Sequence, residues 1–270
     1  MRYIRNLQLS GHRYPNTNIY PYRILHKKAG ALLTFDRITI FYGDNGSGKS
    51  TLLNIIANLL QISGGEPPTK WGIKDYYSEY LSECHLVLED DDEGRIRRRI
   101  PDNSRYLKSE DILYEIKKIQ QESVLEEGYI YERRQLGMTK EEIAMKKGSY
   151  KWQQQLERLQ FAQEKYSNGE TAMQIFEDYL KPDALYLLDE PEASLSPENQ
   201  LKLATTINDL AHYLDCQFVI ATHSPILLGM LEATIYNLDL SDFQTQKWSE
   251  LENVRQFAKF FFDRQGDFKL

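Results

Sequence analysis

A glycine-rich stretch, Gly43 to Thr51, places the strongest constraint on how this chain can fold. It reads G-D-N-G-S-G-K-S-T and fits the phosphate-binding pattern G-x-x-x-x-G-K-[ST]. The residues before it, 37–42, are mostly β-branched or aromatic and predict a buried strand. The residues after it, 49–61, carry leucine and isoleucine at helical spacing. Strand, glycine loop and helix in this order predict a binding site for a nucleoside triphosphate.

The residues of this loop have separate expected roles. Glycine lets the backbone bend so that several N–H groups face one phosphate chain, and the helix N-terminus adds partial positive charge. Lys49 is expected to reach the terminal phosphates, and the Ser50 hydroxyl to bind a magnesium ion. The predicted nucleotide-binding residues of the loop are Asn45, Gly46, Ser47, Gly48, Lys49, Ser50 and Thr51.

Two later segments are apolar strands that run into polar residues. Residues 184–190 end in Asp189 and Glu190, and residues 218–223 end in His223. Apolar strands alternating with helices predict an α/β fold, with a largely parallel sheet covered by helices on both faces. Ligands of such sheets bind at the carboxyl ends of the strands. We therefore expect these three side chains to meet the phosphate loop.

The side chains at these strand ends suit phosphoryl chemistry. Asp189 is expected to hold the magnesium ion opposite Ser50. Glu190 is expected to orient or deprotonate the water that attacks the γ-phosphate. His223 is expected to contact that phosphate as a hydrogen-bond donor. Together with Lys49, Glu190 and His223 are the predicted catalytic residues.

The remaining segments predict antiparallel N-terminal strands and an inserted lobe. Strands are expected at residues 3–9 and 31–35, with a loop rich in tyrosine and proline between them. Residues 1–70 and 167–270 are expected to form the nucleotide-binding core. Residues 71–166 are expected to form a β-hairpin followed by a helical lobe.

The tyrosines of the N-terminal loop have two interpretations. One of them can stack on an adenine near a nucleotide site. Ordinary surface packing is the alternative, because aromatic side chains without a motif usually serve packing. Nothing in their spacing decides between the two for Tyr14, Tyr20 and Tyr22.

The predicted hairpin carries a basic run, Arg95 to Arg99. Its strands are expected at residues 83–89 and 95–100, around an acidic turn. The arginines can contact a DNA backbone. They can equally form a solvated edge strand whose charges oppose aggregation, with the acidic turn neutralising them.

Composition narrows the class of protein further. Apolar residues make up 41% of the chain, charged residues 27%, and the formal net charge is −7. This balance predicts a soluble protein and argues against a dedicated nucleic-acid coat. No apolar run is long enough to span a membrane, so no membrane partner is expected. Cys84 and Cys216 are far apart and predict core thiols in a reducing compartment, the cytoplasm.

Taken together and in order, these motifs resemble those of the ABC-type ATPases. Gly43 to Thr51 matches the Walker A loop, and Leu185 to Glu190 matches Walker B with its catalytic glutamate. Residues 166–170 look like the signature loop, residues 193–196 fall at the D-loop, and His223 falls at the switch histidine. The resemblance covers nearly the whole chain outside the insert.

The resemblance implies a Mg-dependent ATP hydrolase with ATP and Mg2+ as ligands. In this family two nucleotide domains face each other head to tail, so a homodimer is expected on ATP binding. Walker A of one subunit and the signature serine of the other then hold each ATP. On this basis Ser167 and Gly169 would complete the site of a second subunit.

Several positions depart from the pattern of the transporters in this family. The signature loop contains Asn168 and ends in Glu170, and Ser196 stands where transporters usually carry aspartate. Glu192 stands where they usually carry threonine or serine, and Glu110 is the best candidate for the Q-loop position. The chain is in these respects similar to stand-alone bacterial ATPases that lie nearer the SMC and DNA-repair ATPases.

Four functions follow from these observations. The complete catalytic set favours a soluble ATPase whose ATP-driven dimerisation switches a partner protein or a DNA-bound state, as in repair or phage defence. Asn168 and the unidentified Q-loop glutamine instead favour a nucleotide-gated module that controls a separately encoded effector with little turnover. The departures above argue against a transporter subunit, and the signature loop and switch histidine argue against a P-loop kinase.

Overall fold

The computed structural model describes residues 2–14, 18–67, 74–90, 99–115 and 168–268. Its strands are β1 (Ile4–Gln8), β2 (Leu32–Thr34), β3 (Ile38–Tyr42), β4 (His85–Leu88), β5 (Arg105–Lys108), β6 (Leu185–Asp189), β7 (Gln217–Ala221), β8 (Thr234–Asn237) and β9 (Gln244–Thr245). Its α-helices are α1 (Tyr22–Leu25), α2 (Lys49–Leu60), α3 (Tyr76–Glu83), α4 (Asn168–Tyr179), α5 (Pro197–Tyr213), α6 (Pro225–Met230) and α7 (Glu252–Asp263). Residues 109–115 are also helical.

The larger sheet has six strands in the order β5-β6-β7-β3-β8-β9. All neighbouring pairs are parallel except β8 and β9. Every residue of β3, β6 and β7 is buried, as expected for central strands of a parallel sheet. The predicted P-loop α/β fold with a largely parallel sheet is therefore confirmed.

Helices cover both faces of this sheet, because alternate side chains of a strand point to opposite faces. From β6, Tyr186 and Leu188 join an apolar cluster with α4, α5 and α6. Leu185 and Leu187 join a second cluster with α2, α3 and the N-terminal strands. The sheet thus lies between two apolar layers and presents its carboxyl edge to the loops.

The smaller sheet is antiparallel, in the order β2-β1-β4. It confirms the predicted antiparallel N-terminal strands. In this sheet β4 pairs with β1, whereas the predicted hairpin gave it residues 95–100 as a partner. Residues 95–98 lie outside the described residues, and neither Arg99 nor Ile100 lies in a strand.

A strand from the predicted insert belongs to the larger sheet. Although β5 falls within residues 71–166, it pairs in parallel with β6 and buries Tyr106 and Leu107. Residues 116–167 lie outside the described part of the chain, so the predicted boundaries of core and inserted lobe stay predictions. Within the described ranges, the first half of the insert is continuous with the core.

The fully buried amide of Gln217 joins the two sheets. Its Oε1 accepts hydrogen bonds from the backbone N–H groups of Tyr3 and Ile4, at 2.7 and 2.8 Å. Its Nε2 donates to the carbonyls of Ile4 and Asp36, both at 2.9 Å. Since buried polar groups are costly when unpaired, these four bonds hold β1 and the approach to β3 against β7.

Candidate active site

The loop between β3 and α2 makes a turn that requires glycine at two positions. Gly43 has φ +152°, and a Cβ there would lie 2.8 Å from Ser47 Oγ. Gly48 has φ +103°, and a Cβ there would lie 2.9 Å from Ile24 Cγ2. Residues with a side chain rarely adopt these backbone angles, and neither position has room for a Cβ atom. The loop can therefore bring its backbone close to a ligand.

The side chain of Lys49, the first residue of α2, is buried behind this loop. Its ammonium donates to the carbonyls of Gly43 at 2.7 Å and Asp44 at 3.2 Å. It also lies 2.6 Å from His223 Nε2, within hydrogen-bonding distance of the ring. Burial lowers the pKa of Lys49, while Glu190 and other nearby carboxylates oppose that shift.

The structure brings the predicted strand-end residues together at one edge of the sheet. His223, which follows β7, has its Nε2 3.7 Å from Glu190 Oε1, and Glu190 follows β6. The two side chains are 33% and 41% exposed, so both reach solvent. Lysine, imidazole and carboxylate therefore form a continuous group around the mouth of the phosphate loop.

Glu190 has a left-handed backbone conformation, with φ 49° and ψ 51°. Such a conformation costs a residue other than glycine on the order of 1 kcal/mol and is common at functional sites. The backbone N–H of Glu190 donates to the Ala221 carbonyl at 2.9 Å, which ties the end of β6 to β7. The turn directs the carboxylate toward His223, where it can accept a proton from a water molecule.

Asp189, the last residue of β6, is buried at the base of this group. Its Oδ2 accepts from Tyr106 Oη at 3.0 Å, and its buried Oδ1 has no hydrogen-bond partner among the described residues. Burial raises the pKa of the Asp189 carboxyl, and the nearby hydroxyls of Ser50 and Tyr106 partly offset the rise.

Ser50 and Asp189 fit a magnesium ion. A buried carboxylate oxygen without a partner, with a hydroxyl nearby, is a donor set that suits a hard divalent cation. Among the described ranges no group of three His, Cys, Asp or Glu side chains is arranged to hold a metal. Magnesium usually takes one or two protein ligands and completes its shell with phosphate oxygens and water, which agrees with this small set.

Asp189→Asn is expected to stabilise the nucleotide-free protein at neutral pH. Because the folded-state pKa is raised, the folded protein binds this proton more tightly than the unfolded chain. The carboxylate therefore lowers stability above that raised pKa, and the penalty disappears as the pH falls below the ordinary carboxyl range. Urea denaturation at about pH 8 should show a higher free energy of unfolding for the variant, and this difference should vanish at about pH 3, below the ordinary carboxyl pKa.

The same variant should weaken ATP binding only when magnesium is present, by about tenfold or more. Asp209→Asn, an exposed aspartate on α5, is the matched control and should change neither measurement. Equal loss of ATP affinity with and without magnesium would contradict the assignment of Asp189 to the metal.

The other predicted nucleotide-binding residues lie in several settings. Asn45 and Gly46 are exposed on the loop, Thr51 is buried in α2, and Ser47 Oγ is buried without a partner among the described residues. Gly169 lies in the first turn of α4, and Ser167 lies outside the described residues. Their roles across a dimer interface stay predictions.

The three tyrosines of the N-terminal loop separate in the structure. Tyr22 is buried, and Tyr14 packs edge-on against it at 4.8 Å. Tyr20 is 46% exposed and lines a cavity of about 520 Å³ together with Gly46 and Ser47. Of the three, Tyr20 therefore borders the phosphate loop, and Tyr14 and Tyr22 serve packing.

The predicted DNA contact has no support from the described residues. Arg95 to Arg98 lie outside them, and Arg99 is exposed. Of the basic residues that follow, Arg105 stacks over the Tyr179 ring at 5.0 Å and Lys108 pairs with Glu66. DNA binding through the arginines stays a prediction.

Two residues of the site were not predicted from the sequence. Tyr106 on β5 donates to Asp189, and burial, followed by the charge of Asp189, raises the pKa of this tyrosine. Asp239, just beyond β8, accepts from the Asp44 N–H with both carboxylate oxygens, at 2.9 and 3.1 Å. The rule that ligands bind at strand carboxyl ends could have identified Asp239, since β8 neighbours β3.

Comparisons with known proteins identify the family of this chain. A family model described as "AAA domain, putative AbiEii toxin, Type IV TA system" matches residues 77–229, more than half of the chain. The tungstate uptake system ATP-binding protein TupC of Peptoclostridium acidaminophilum is 32% identical over 199 residues, or 71% of this chain and 78% of that protein. The chain belongs to this AAA-domain family and is a P-loop ATPase of the ABC type.

Solved structures with a similar arrangement come from two groups of ATPases. The Smc head domain of Pyrococcus furiosus, solved with the C-terminal domain of ScpA, has a TM-score of 0.43 and 16% identity, covering 98% of this chain and 100% of that one. A dimeric structure of MJ0796, a bacterial ABC transporter cassette, has a TM-score of 0.45 and 16% identity, covering 93% and 100%. Among the described residues, no helix is long and apolar enough to cross a membrane.

Proposed function

We propose that this protein binds and hydrolyses ATP and uses the cycle to switch a partner. The observation that carries the proposal is the meeting of Lys49, Glu190 and His223 at the mouth of the phosphate loop, at 2.6 and 3.7 Å from the imidazole. Glu190 and His223 follow the ends of β6 and β7, and Lys49 begins the helix that follows the adjacent strand β3. A cation, a carboxylate and an imidazole at this position are suited to transfer of a phosphoryl group to water.

Each residue has a defined part in the proposed reaction. The loop N–H groups and Lys49 hold the β- and γ-phosphates, and Ser50 and Asp189 are the residues that would hold magnesium. When bound, magnesium neutralises developing charge on the phosphate oxygens. Glu190 removes the proton from the water that attacks the γ-phosphate, and His223 donates a hydrogen bond to a γ-phosphate oxygen.

The second part of the proposal is a head-to-tail homodimer in which each ATP contacts both subunits. It is supported by the family to which the chain belongs and by the match of residues 166–170 to the signature loop. Ser167 and Gly169 of one subunit would then face the Walker A loop of the other. We further propose a cytoplasmic protein, in keeping with the buried free thiols of Cys84 and Cys216.

A mixing experiment tests this arrangement. Lys49→Ala and Ser167→Glu should each abolish turnover, the second because a carboxylate repels the γ-phosphate. If each site takes Lys49 from one subunit and Ser167 from the other, a mixed dimer keeps one intact site. An equal mixture should therefore recover about one quarter of wild-type turnover, since about half of the dimers are mixed.

The outcomes of the mixing experiment separate the alternatives. An inactive mixture of two inactive variants would contradict sites shared between subunits. Wild-type protein that dimerises with ATP but shows negligible phosphate release would favour the nucleotide-gated module that controls a separately encoded effector. The control is a mixture of Lys49→Ala with Glu198→Gln, a substitution of an exposed residue on α5. This mixture gives the activity expected from dilution alone.

One comparison favours a second function, the ATP-binding subunit of an uptake system. TupC carries that name and is 32% identical to this chain. Glu192 and Ser196 depart from the residues usual in transporters and favour the switching ATPase. A transporter subunit should sediment with membranes from its native cell, whereas the switching ATPase should stay in the supernatant with its partner.

A further inference from the structure

Glu192 makes a group of contacts that the reaction above does not use. It lies two residues after Glu190, in the 3-10 helix Pro191–Ser194. Its Oε1 accepts from Thr222 Oγ1 at 2.7 Å, from the His223 N–H at 2.8 Å and from the Ser224 N–H at 3.1 Å. One carboxylate oxygen thus holds three consecutive residues, with His223 at their centre.

The opposite side of the His223 backbone is also held. Asn253, at the start of α7, donates through Nδ2 to the His223 carbonyl at 2.9 Å. Its own N–H donates to Tyr42 Oη at 3.3 Å, next to the phosphate loop. The N–H and the carbonyl of His223 are therefore both fixed by side chains from other elements.

This restraint determines where the imidazole points. The ring reaches Lys49 at 2.6 Å and stands 3.7 Å from Glu190, so a small rotation of the backbone would move it out of both contacts. Hydrogen bonds from N–H groups to an ionised carboxylate are about twice as strong as neutral ones. A shorter, uncharged side chain such as threonine or serine could not replace these three bonds.

We propose that Glu192 is a positioning residue that holds His223 in its working orientation. The inference rests on the proposed hydrolysis of ATP, because His223 acts on the γ-phosphate there. Glu192 itself joins the D-loop region to the loop after β7 through hydrogen bonds alone, and takes no part in bond making or breaking.

Steady-state kinetics of three variants test the proposal. Glu192→Ala removes the acceptor and is expected to lower kcat about 100-fold, since small displacements of catalytic groups cost that much. Its KM and its affinity for mant-ATP should change less than about threefold, because the phosphate loop is untouched. Glu192→Gln keeps an oxygen at the same place and should recover most of the loss. Glu198→Gln, which removes an exposed ion pair with Lys202, is the matched control and should behave as wild type.

A double variant separates positioning from general loss of structure. If Glu192 acts through His223, Glu192→Ala combined with His223→Ala should be no slower than His223→Ala alone. The proposal would be overturned if the decreases in kcat of the two single variants multiply in the double variant. A Glu192→Ala enzyme with wild-type kcat would also overturn it. If Glu192→Ala fails to fold, Glu192→Thr takes its place with the same expected result.

A measurement independent of turnover keeps this test separate from that of the proposed function. If the wild-type protein shows no turnover, the proposed hydrolysis fails. The positioning role of Glu192 can still be tested, because 15N NMR observes the ring nitrogens of His223 without turnover. His223→Gln identifies its signals among those of the five histidines. Glu192→Ala should shift the Nε2 signal and Glu192→Gln should leave it in place. An unchanged Nε2 signal in Glu192→Ala would then refute the positioning role.

Discussion

Glu190→Gln is expected to lower ATP turnover about 1,000-fold while leaving ATP affinity within about threefold. The amide has the shape of the carboxylate but cannot take a proton from water. Glu190 has a left-handed backbone and a side chain that is 41% exposed, so the substitution buries no new group. Phosphate release under saturating ATP measures kcat, and mant-ATP titration measures affinity.

The same variant should accumulate the ATP-bound dimer, because the proposed hydrolysis step releases it. In the presence of ATP and magnesium, sedimentation of the variant should give twice the monomer mass. In the presence of ADP it should not. Glu198→Gln is the matched carboxylate control and should retain wild-type turnover. Turnover of Glu190→Gln within about tenfold of wild type would remove Glu190 as the base.

Lys49→Met is expected to weaken ATP binding by about 3 kcal/mol, or about 100-fold in Kd. The lysine ammonium is held 2.7 Å from the Gly43 carbonyl at the base of the loop, where it can contact phosphate. Methionine keeps the apolar stem, so packing of α2 should be preserved. Isothermal titration with ATP and magnesium gives Kd, and thermal unfolding without nucleotide checks the fold.

Lys202→Met is the control for this loss of charge. Lys202 lies on α5 and makes an exposed ion pair with Glu198, and exposed pairs of this kind contribute at most about 1 kcal/mol. Its substitution should leave Kd within about twofold. Full ATP affinity in Lys49→Met would mean that the loop N–H groups bind the phosphates without the side chain, contrary to the proposed site.

The central strands could be predicted because their sequences leave little choice. In β3, β6 and β7 every residue is buried, so each appears as a continuous apolar run. The starts of α5 and α6 have an equally plain signal in the sequence, since Ser196 and Ser224 each cap a helix whose first residue is proline.

Strand β5 could not be predicted because it has only four residues. With a charged residue at each end, it shows too little hydrophobic alternation to be recognised. Arg105 and Lys108 flank its two buried residues, and both charges lie at the edge of the sheet. The segment was therefore assigned to the insert. Tyr106, which donates to Asp189, was missed for the same reason.

The strand-end rule found the catalytic candidates but not the residues that orient them. Motif spacing identifies Asp189, Glu190 and His223, because each ends an apolar strand or lies within two residues of its end. Glu192 stood out only as a departure from the transporter pattern. Its three hydrogen bonds to the loop after β7 depend on the path of two separate loops, which spacing along the chain does not encode.

The buried amide of Gln217 also limits which parts of the protein can move during the proposed ATP cycle. Sliding of one sheet over the other would break at once the three hydrogen bonds that join Gln217 to Tyr3 and Ile4 in a dry interior, and the energy required is far above thermal fluctuation. The two sheets must therefore move together as a single rigid body. Among the described residues, the segments at the carboxyl edge, where β6, β7 and β8 end, are then the parts that can change shape to report nucleotide to the proposed partner.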